Sequence, residues 1–382
     1  MIENGKITGV GLSVHAPRRA TRIDGRGLTV YPGLFNSDTN LGLTEVERAE
    51  VTNDYREMGD YTPQLLAWSA VHVESEHIPV ARVDGITHVV TRPSGGTISG
   101  QGAIIHLDGW NPEQMEIDRH ASLYLSLPGL MSSGSPRSFS QGGRGSSNLE
   151  TQERFDKTVA ELKELFAQVR QYARHDSGER ERNRQLEALI PAATGKQLVV
   201  LEANSQVDIR EAVRFARGLD LNFAISGASD AWKVATFLKE NNVRVILGPV
   251  QKLPRRADDP LNIVYETPGI LHQIGVQFAL STGGSSDVRT LAFEVGNAVA
   301  HGLPHDAALR SVTLAPAEIF GVEDQIGSIE PGKWANLVVT DGDIFEYQTR
   351  IRHVFIKGTP VSLESKHTRL YQKYLNKPRT SR

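Results

Sequence analysis

From residue 197 onward, apolar runs of a few residues alternate with segments in which apolar positions recur at helical spacing. The runs at 198–201, 222–225, 243–247 and 276–280 predict strands, and 208–217, 230–240 and 288–301 predict helices. Strands separated by connections of that length pair in parallel, so this half of the chain predicts βα units that wind into an open sheet or close into a barrel. At each predicted strand end the chain turns polar or small: Glu202 and Asn204, Ser226 and Gly227, Gly248 and Pro249, Thr282 and Gly283. Barrels carry their active sites at that end of their strands.

The first half is less regular. Residues 6–10 and 21–23 predict short strands, broken by Ala16-Pro17-Arg18 and turned at Asp24-Gly25. A further strand arrives at Val30-Tyr31-Pro32-Gly33-Leu34 and delivers Asp38-Thr39-Asn40 at its far end. Alternation along an extended chain puts Asp38 and Asn40 on one face. A helix is predicted over about 63–72, and a buried strand over 85–91 that runs into the Gly-rich 94–102 as a pocket wall. Short strands follow over 103–107 and 123–127. Residues 132–148 are almost entirely Ser, Gly, Arg and Gln, which predicts a flexible loop. Ser147-Asn148-Leu149-Glu150 then reads as a capping box for an amphipathic helix carrying Phe155, Val159, Leu162, Phe166 and Val169, which ends near the charged run 176–184. The chain returns to strand over 327–343 and 351–356. Its tail places Leu370, Tyr371, Tyr374 and Leu375 on one side of a docked helix whose other side is basic.

Composition narrows the function classes. A formal charge of −3 over 382 residues, with 39% hydrophobic and 23% charged residues, matches neither a nucleic-acid-binding balance nor a disordered one. No cysteine is present, which excludes disulfides, thiol nucleophiles and thiolate metal sites. No apolar run approaches a membrane span, and no basic-then-apolar leader follows Met1. A soluble chain is expected, cytoplasmic as given and exported if a leader has been trimmed.

Three stretches resemble the amidohydrolase superfamily, in particular its imidazolonepropionase-like branch: Tyr31-Pro32-Gly33-Leu34, Leu280-Ser281-Thr282, and the segment from Gly327 to Asp343. Ala315-Pro316-Ala317-Glu318-Ile319-Phe320-Gly321 fits the helix before that last segment. The resemblance implies a distorted (β/α)8 barrel over 31–321, with an insert at about 130–190, a small β-sandwich formed by residues 1–30 and 322–362, and a C-terminal helix and basic tail over 363–382. It also implies hydrolysis of non-peptide C–N bonds in a small cyclic amide or a related molecule. Where the family carries a His-x-His pair, this chain has Asp38 and Asn40; its later histidine ligands match Glu202 and Ser226, and its eighth-strand Asp matches Gly283.

Those departures define two expectations of different class. An altered hydrolase would work with Mg, Ca or Mn in an oxygen-only site built from Asp38, Asn40, Glu202 and Asn204, or with no metal. Without a metal, these groups and Ser226 would hydrogen-bond one another at the mouth of a pseudoenzyme, which binds a small molecule, self-associates or pairs with an active homologue. Glycine at 283 supplies no base for attacking water. None of the twelve histidines falls at metal-ligand spacing. Thr282-Gly283-Gly284-Ser285, leading into a helix, is a candidate anion-binding loop.

Overall fold

The computed structural model describes residues 1–130, 148–174 and 181–377. The expected Ser/Gly loop up to Ser147, residues 175–180 of the charged run and residues 378–382 of the basic tail lie outside the described residues.

A small hairpin, β1 (Ile2–Glu3) and β2 (Lys6–Ile7), precedes β3 (Thr29–Pro32). The strand expected at 21–23 is irregular chain. Eight further strands then lie side by side in chain order: β4 (Leu34–Thr39), β5 (Ile86–Thr91), β6 (Ile98–His106), β7 (Glu116–Ser126), β8 (Leu198–Ala203), β9 (Phe223–Gly227), β10 (Arg244–Leu247) and β11 (Phe278–Leu280). Thr39 bridges in parallel to Gly283, so the first strand meets the chain leaving the last and the sheet closes into a barrel. Side chains stitch the same seam: Asn36 Nδ2 donates to Thr282 Oγ1 at 2.7 Å and Ser37 Oγ donates to the Leu280 carbonyl at 2.9 Å.

The expected eight-stranded barrel is therefore present, and its distortion has a definite place. β6 runs antiparallel to both neighbours, while all the other barrel pairs are parallel. A parallel crossover needs about a dozen residues or more, whereas only residues 92–97 separate β5 from β6. The strand has to turn back as a hairpin. β6 is also longer than β5, and residues 61–66 cover the surplus through bridges from Tyr61 to Ile98 and from Leu66 to Gln101. This pairing displaces the helix expected at 63–72, of which only the 3-10 turn Ala67–Ala70 forms.

Period-two alternation sorts each strand between two apolar clusters. One fills the barrel, with Phe35, Val90, Ile104, Val200, Ile246 and Ala279 from successive strands. The other lies between strands and outer helices, where Val89, Ile105, Leu201, Ile225 and Val245 meet helices such as Gln206–Gly218 and Asn148–Tyr172. Ser205 caps the first of these by accepting the Asp208 N–H at 3.0 Å.

β12 (Leu337–Thr340), β13 (Ile351–Ile356) and β14 (Thr359–Pro360) form an antiparallel sheet with β3, in the order β14-β13-β12-β3. The C-terminal helix Lys366–Leu375 buries none of its residues, and Leu370, Tyr371, Tyr374 and Leu375 stay 39–63% exposed. It meets the barrel through polar contacts, the Arg369–Glu76 ion pair and a 3.5 Å contact between Arg289 and His367, instead of burying the expected apolar face. No described helix is long and apolar enough to cross a membrane.

Candidate active site at the barrel mouth

Above the apolar filling, several strands present a polar side chain at their carboxyl ends. Asp38, Arg92, Tyr124, Glu202 and Ser226 form that upper layer. A register irregularity between Asn36 and Thr39 frees Asp38 from strict alternation, and its carboxylate turns to Arg92. Arg92 follows Val90 by two residues and so shares its inward face.

Arg92 Nε donates to Asp38 Oδ1 at 2.5 Å, with the side chains 19% and 8% exposed. The guanidinium also lies over the Tyr124 ring, 5.1 Å from its centre. Burial, the largest single influence, would weaken the Arg92 cation, but the charge and hydrogen bond of Asp38, together with Tyr124 and the charge of Glu202, outweigh it and hold the pKa above the usual arginine range. Burial, then the Asp38 charge, pushes the Tyr124 phenol well above its ordinary value, so it stays protonated. Room for this stack comes from β6. A Cβ on Gly102 would lie 2.6 Å from Tyr124 Cε2 and 3.3 Å from Arg92 Cβ. The stretch expected to be a pocket wall over 94–102 is thus partly a barrel strand that seats the tyrosine.

The other expected residues are spread around the rim. Asn40 lies past the end of β4 and shares a pocket of about 260 Å3 with Thr39, Arg92, Ser94, Gly283 and Gly284, and its Oδ1 is buried without a hydrogen-bond partner. Asp38 and Asn40 do not form a matched pair on one strand face, because β4 ends between them. Glu202 is solvent-exposed, and its charge still reaches Arg92 and Tyr124. Ser226 sits beside it in register, buried, its Oγ without a partner. Asn204 Oδ1 accepts from Ser229 Oγ at 2.9 Å, and Ser229 Oγ accepts from Lys252 Nζ at 3.0 Å.

In the candidate anion loop, two backbone donors are already engaged. Thr282 N–H points to Asn36 Oδ1 at 3.4 Å, and Gly283 N–H donates to the Asp38 carbonyl at 3.2 Å. The turn that follows is the short 3-10 segment Val288–Thr290.

A divalent metal, as the fold family implies, requires several converging anionic or imidazole ligands. Asp38 is neutralised by a guanidinium inside the same layer, and among the described residues no group of three or more His, Asp or Glu side chains could hold an ion. The residues present do not fit a metal centre. Histidines 88 and 106 lie at the opposite end of the barrel, as a cross-strand pair with ring centres 6.5 Å apart.

Sequence reasoning missed Arg92, Tyr124 and Lys252. The available signal for Arg92 was its inward register two residues after the buried Val90. Lys252 lies in a loop and leaves no periodic trace.

The geometry finds relatives. Residues 207–361 match the model of the amidohydrolase family. The chain is 37% identical over 84 residues to the amidohydrolase tasK of Hapsidospora irregularis, covering 21% of this chain and 9% of that protein. It is 36% identical over 59 residues to an adenine deaminase of Rubrobacter xylanophilus, covering 15% and 10%. These matches span about a tenth of the length of either relative. Over 95% of this chain and 94% of the other, the fold superposes on an amidohydrolase from Thermotoga maritima MSB8 with a TM-score of 0.80 at 24% identity. An adenosine deaminase from Xanthomonas campestris with bound zinc superposes over 97% and 91%, with a TM-score of 0.54 at 18% identity. At these identities the structural likeness concerns the fold.

Proposed function

We propose that this chain, whose residues 207–361 match the amidohydrolase family and whose fold superposes on an amidohydrolase barrel, uses that barrel to bind a small polar molecule and has lost metal-assisted hydrolysis of C–N bonds. The observation that carries this reading is the Arg92–Asp38 ion pair in the upper layer. Metal-assisted hydrolysis needs a dication that lowers the pKa of bound water, with a base beside it. A divalent ion about 4 Å from the guanidinium would meet roughly 8 kcal/mol of repulsion at an effective dielectric near 20. Gly283 offers no base.

Binding is supported by what the mouth leaves unsatisfied. Asn40 Oδ1 and Ser226 Oγ are buried without partners, although buried polar atoms are normally hydrogen-bonded. A ligand presenting both N–H and carbonyl groups, such as a small cyclic amide, would satisfy them. Glu202 favours a second reading, hydrolysis of such an amide without a metal, because an accessible carboxylate beside a fixed cation can serve as a general base.

Elemental analysis of protein purified without chelator, paired with turnover assays on hydantoins, lactams and imidazolones, tests both. The binding reading expects substoichiometric metal and no turnover. Stoichiometric metal that disappears in Asp38→Ala would overturn it, and turnover abolished by Glu202→Gln would establish the second reading in its place.

A further inference from the structure

Lys252 stands apart from the positions that the family resemblance singles out. Ile246 points into the barrel, and Gly248 continues the ladder by donating its N–H to the Gly227 carbonyl at 3.0 Å. Alternation therefore places residue 248 on the inner face, in the upper layer. A Cβ there would lie 3.7 Å from Lys252 Nζ. The lysine folds back from its loop and sets its amine in the slot that glycine leaves open.

That position is held from two sides. Nζ donates to Ser229 Oγ at 3.0 Å, and Ser229 Oγ in turn donates to Asn204 Oδ1 at 2.9 Å. Below, Glu294 is only 4% exposed, and its carboxylate accepts the Val250 N–H at 2.7 Å and the Gln251 N–H at 3.4 Å, fixing the loop that carries the lysine. Other lysines with little exposure rest on carboxylates: Lys233 on Asp259 at 2.6 Å and Lys333 on Glu330 at 3.1 Å. Among the described residues Lys252 has no such ion pair. Burial lowers its pKa, opposed in part by the Glu294 charge, which raises the share of neutral amine near neutrality.

We propose that Lys252 is the nucleophile of a covalent carbonyl-binding site, forming an imine with a small aldehyde or ketone that enters the barrel mouth. The Nζ lone pair attacks the carbonyl carbon, and the C=O π pair moves to oxygen, which takes one amine proton to give a carbinolamine. Loss of the hydroxyl with the second amine proton releases one water and leaves C=N. One amine and one carbonyl yield one imine and one water, so no redox partner is needed. Ser229 acts as a positioning residue: by accepting an N–H it turns the lone pair away from itself. This inference rests on the small-molecule reading of the mouth, but trapping reads Lys252 alone, whereas metal content reads Asp38 and Arg92.

The test is reductive trapping of the full chain with pyruvate, and separately propionaldehyde, by cyanoborohydride near neutral pH, followed by peptide mass mapping. The expected result is one adduct per chain at Lys252, formed ahead of any at the exposed Lys157 and Lys163. The adduct should be lost in Lys252→Met and formed more slowly in Ser229→Ala. Should Lys252→Met fail to fold, Lys252→Arg keeps the charge without an imine-forming amine and decides the matter. Labelling spread over lysines according to exposure, or undiminished in these variants, would overturn the proposal.

Discussion

At the scale of residues, the mouth is defined by a cation. Removing Asp38 would strand the Arg92 guanidinium, whose side chain is only 19% exposed, and breaking a buried pair from one side costs roughly 3–5 kcal/mol. Asp38→Ala should lower the urea midpoint accordingly at an unchanged slope, and Asp38→Leu combined with Arg92→Leu should recover much of the loss. A loss below about 1 kcal/mol for the single variant would mark the pair as no more than a surface bridge. Asp38, Glu202 and Ser226 were legible in the sequence because each closes a strand whose apolar pattern is clear. Arg92 was not, because an arginine at a strand end ordinarily reaches solvent, and only the closing of the barrel sets its charge against Asp38. Lys252 was hidden for another reason: its amine reaches the layer through a reversal of the loop.

At the scale of elements, the second half of the barrel follows from its βα periodicity. The first half does not, because pairing there is decided by connection length and by competition for edges. Residues 61–66 carry an apolar pattern that a helix could use, and the uncovered end of β6 captures them as an extended partner. β6 also carries the tightest steric demand near the site. Gly102→Ala would drive a methyl into the Tyr124 ring, and overpacking of this kind costs roughly 1–3 kcal/mol. Thermal unfolding of Gly102→Ala, alone and combined with Tyr124→Ala, should show the penalty shrinking in the double variant. An equal penalty in both backgrounds would exclude the tyrosine as its cause.

At the scale of the whole molecule, the barrel has a wet end and a dry end. At the dry end Phe35 packs against Phe320, their ring centres 6.3 Å apart, and His106 against the segment that leads into β12, its ring 6.3 Å from Trp334 and its Nδ1 3.3 Å from the Asn336 amide. Burial drives the His88 pKa down to about 3 and that of His106 well below its ordinary value, and neither Nε2 has a partner. A histidine held neutral in the fold gains a proton only on unfolding, so stability is complete above pH 6.5 and falls as the pH drops from there toward 3. For His88 alone the loss between pH 7 and pH 5 is about 2 kcal/mol, and His106 adds to it in the same direction. Denaturant midpoints across that range should fall more steeply in the native protein than in His88→Gln; parallel slopes would place the acid sensitivity elsewhere. The wet end owes its closure to the seam between the first and last strands, which is stitched chiefly by Asn36, Ser37 and the bridge at Thr39. A cylinder joined on seven sides by backbone ladders and on the eighth mainly by side chains has a built-in zipper, and any transient opening would run down that line, beside Asp38 and away from Lys252.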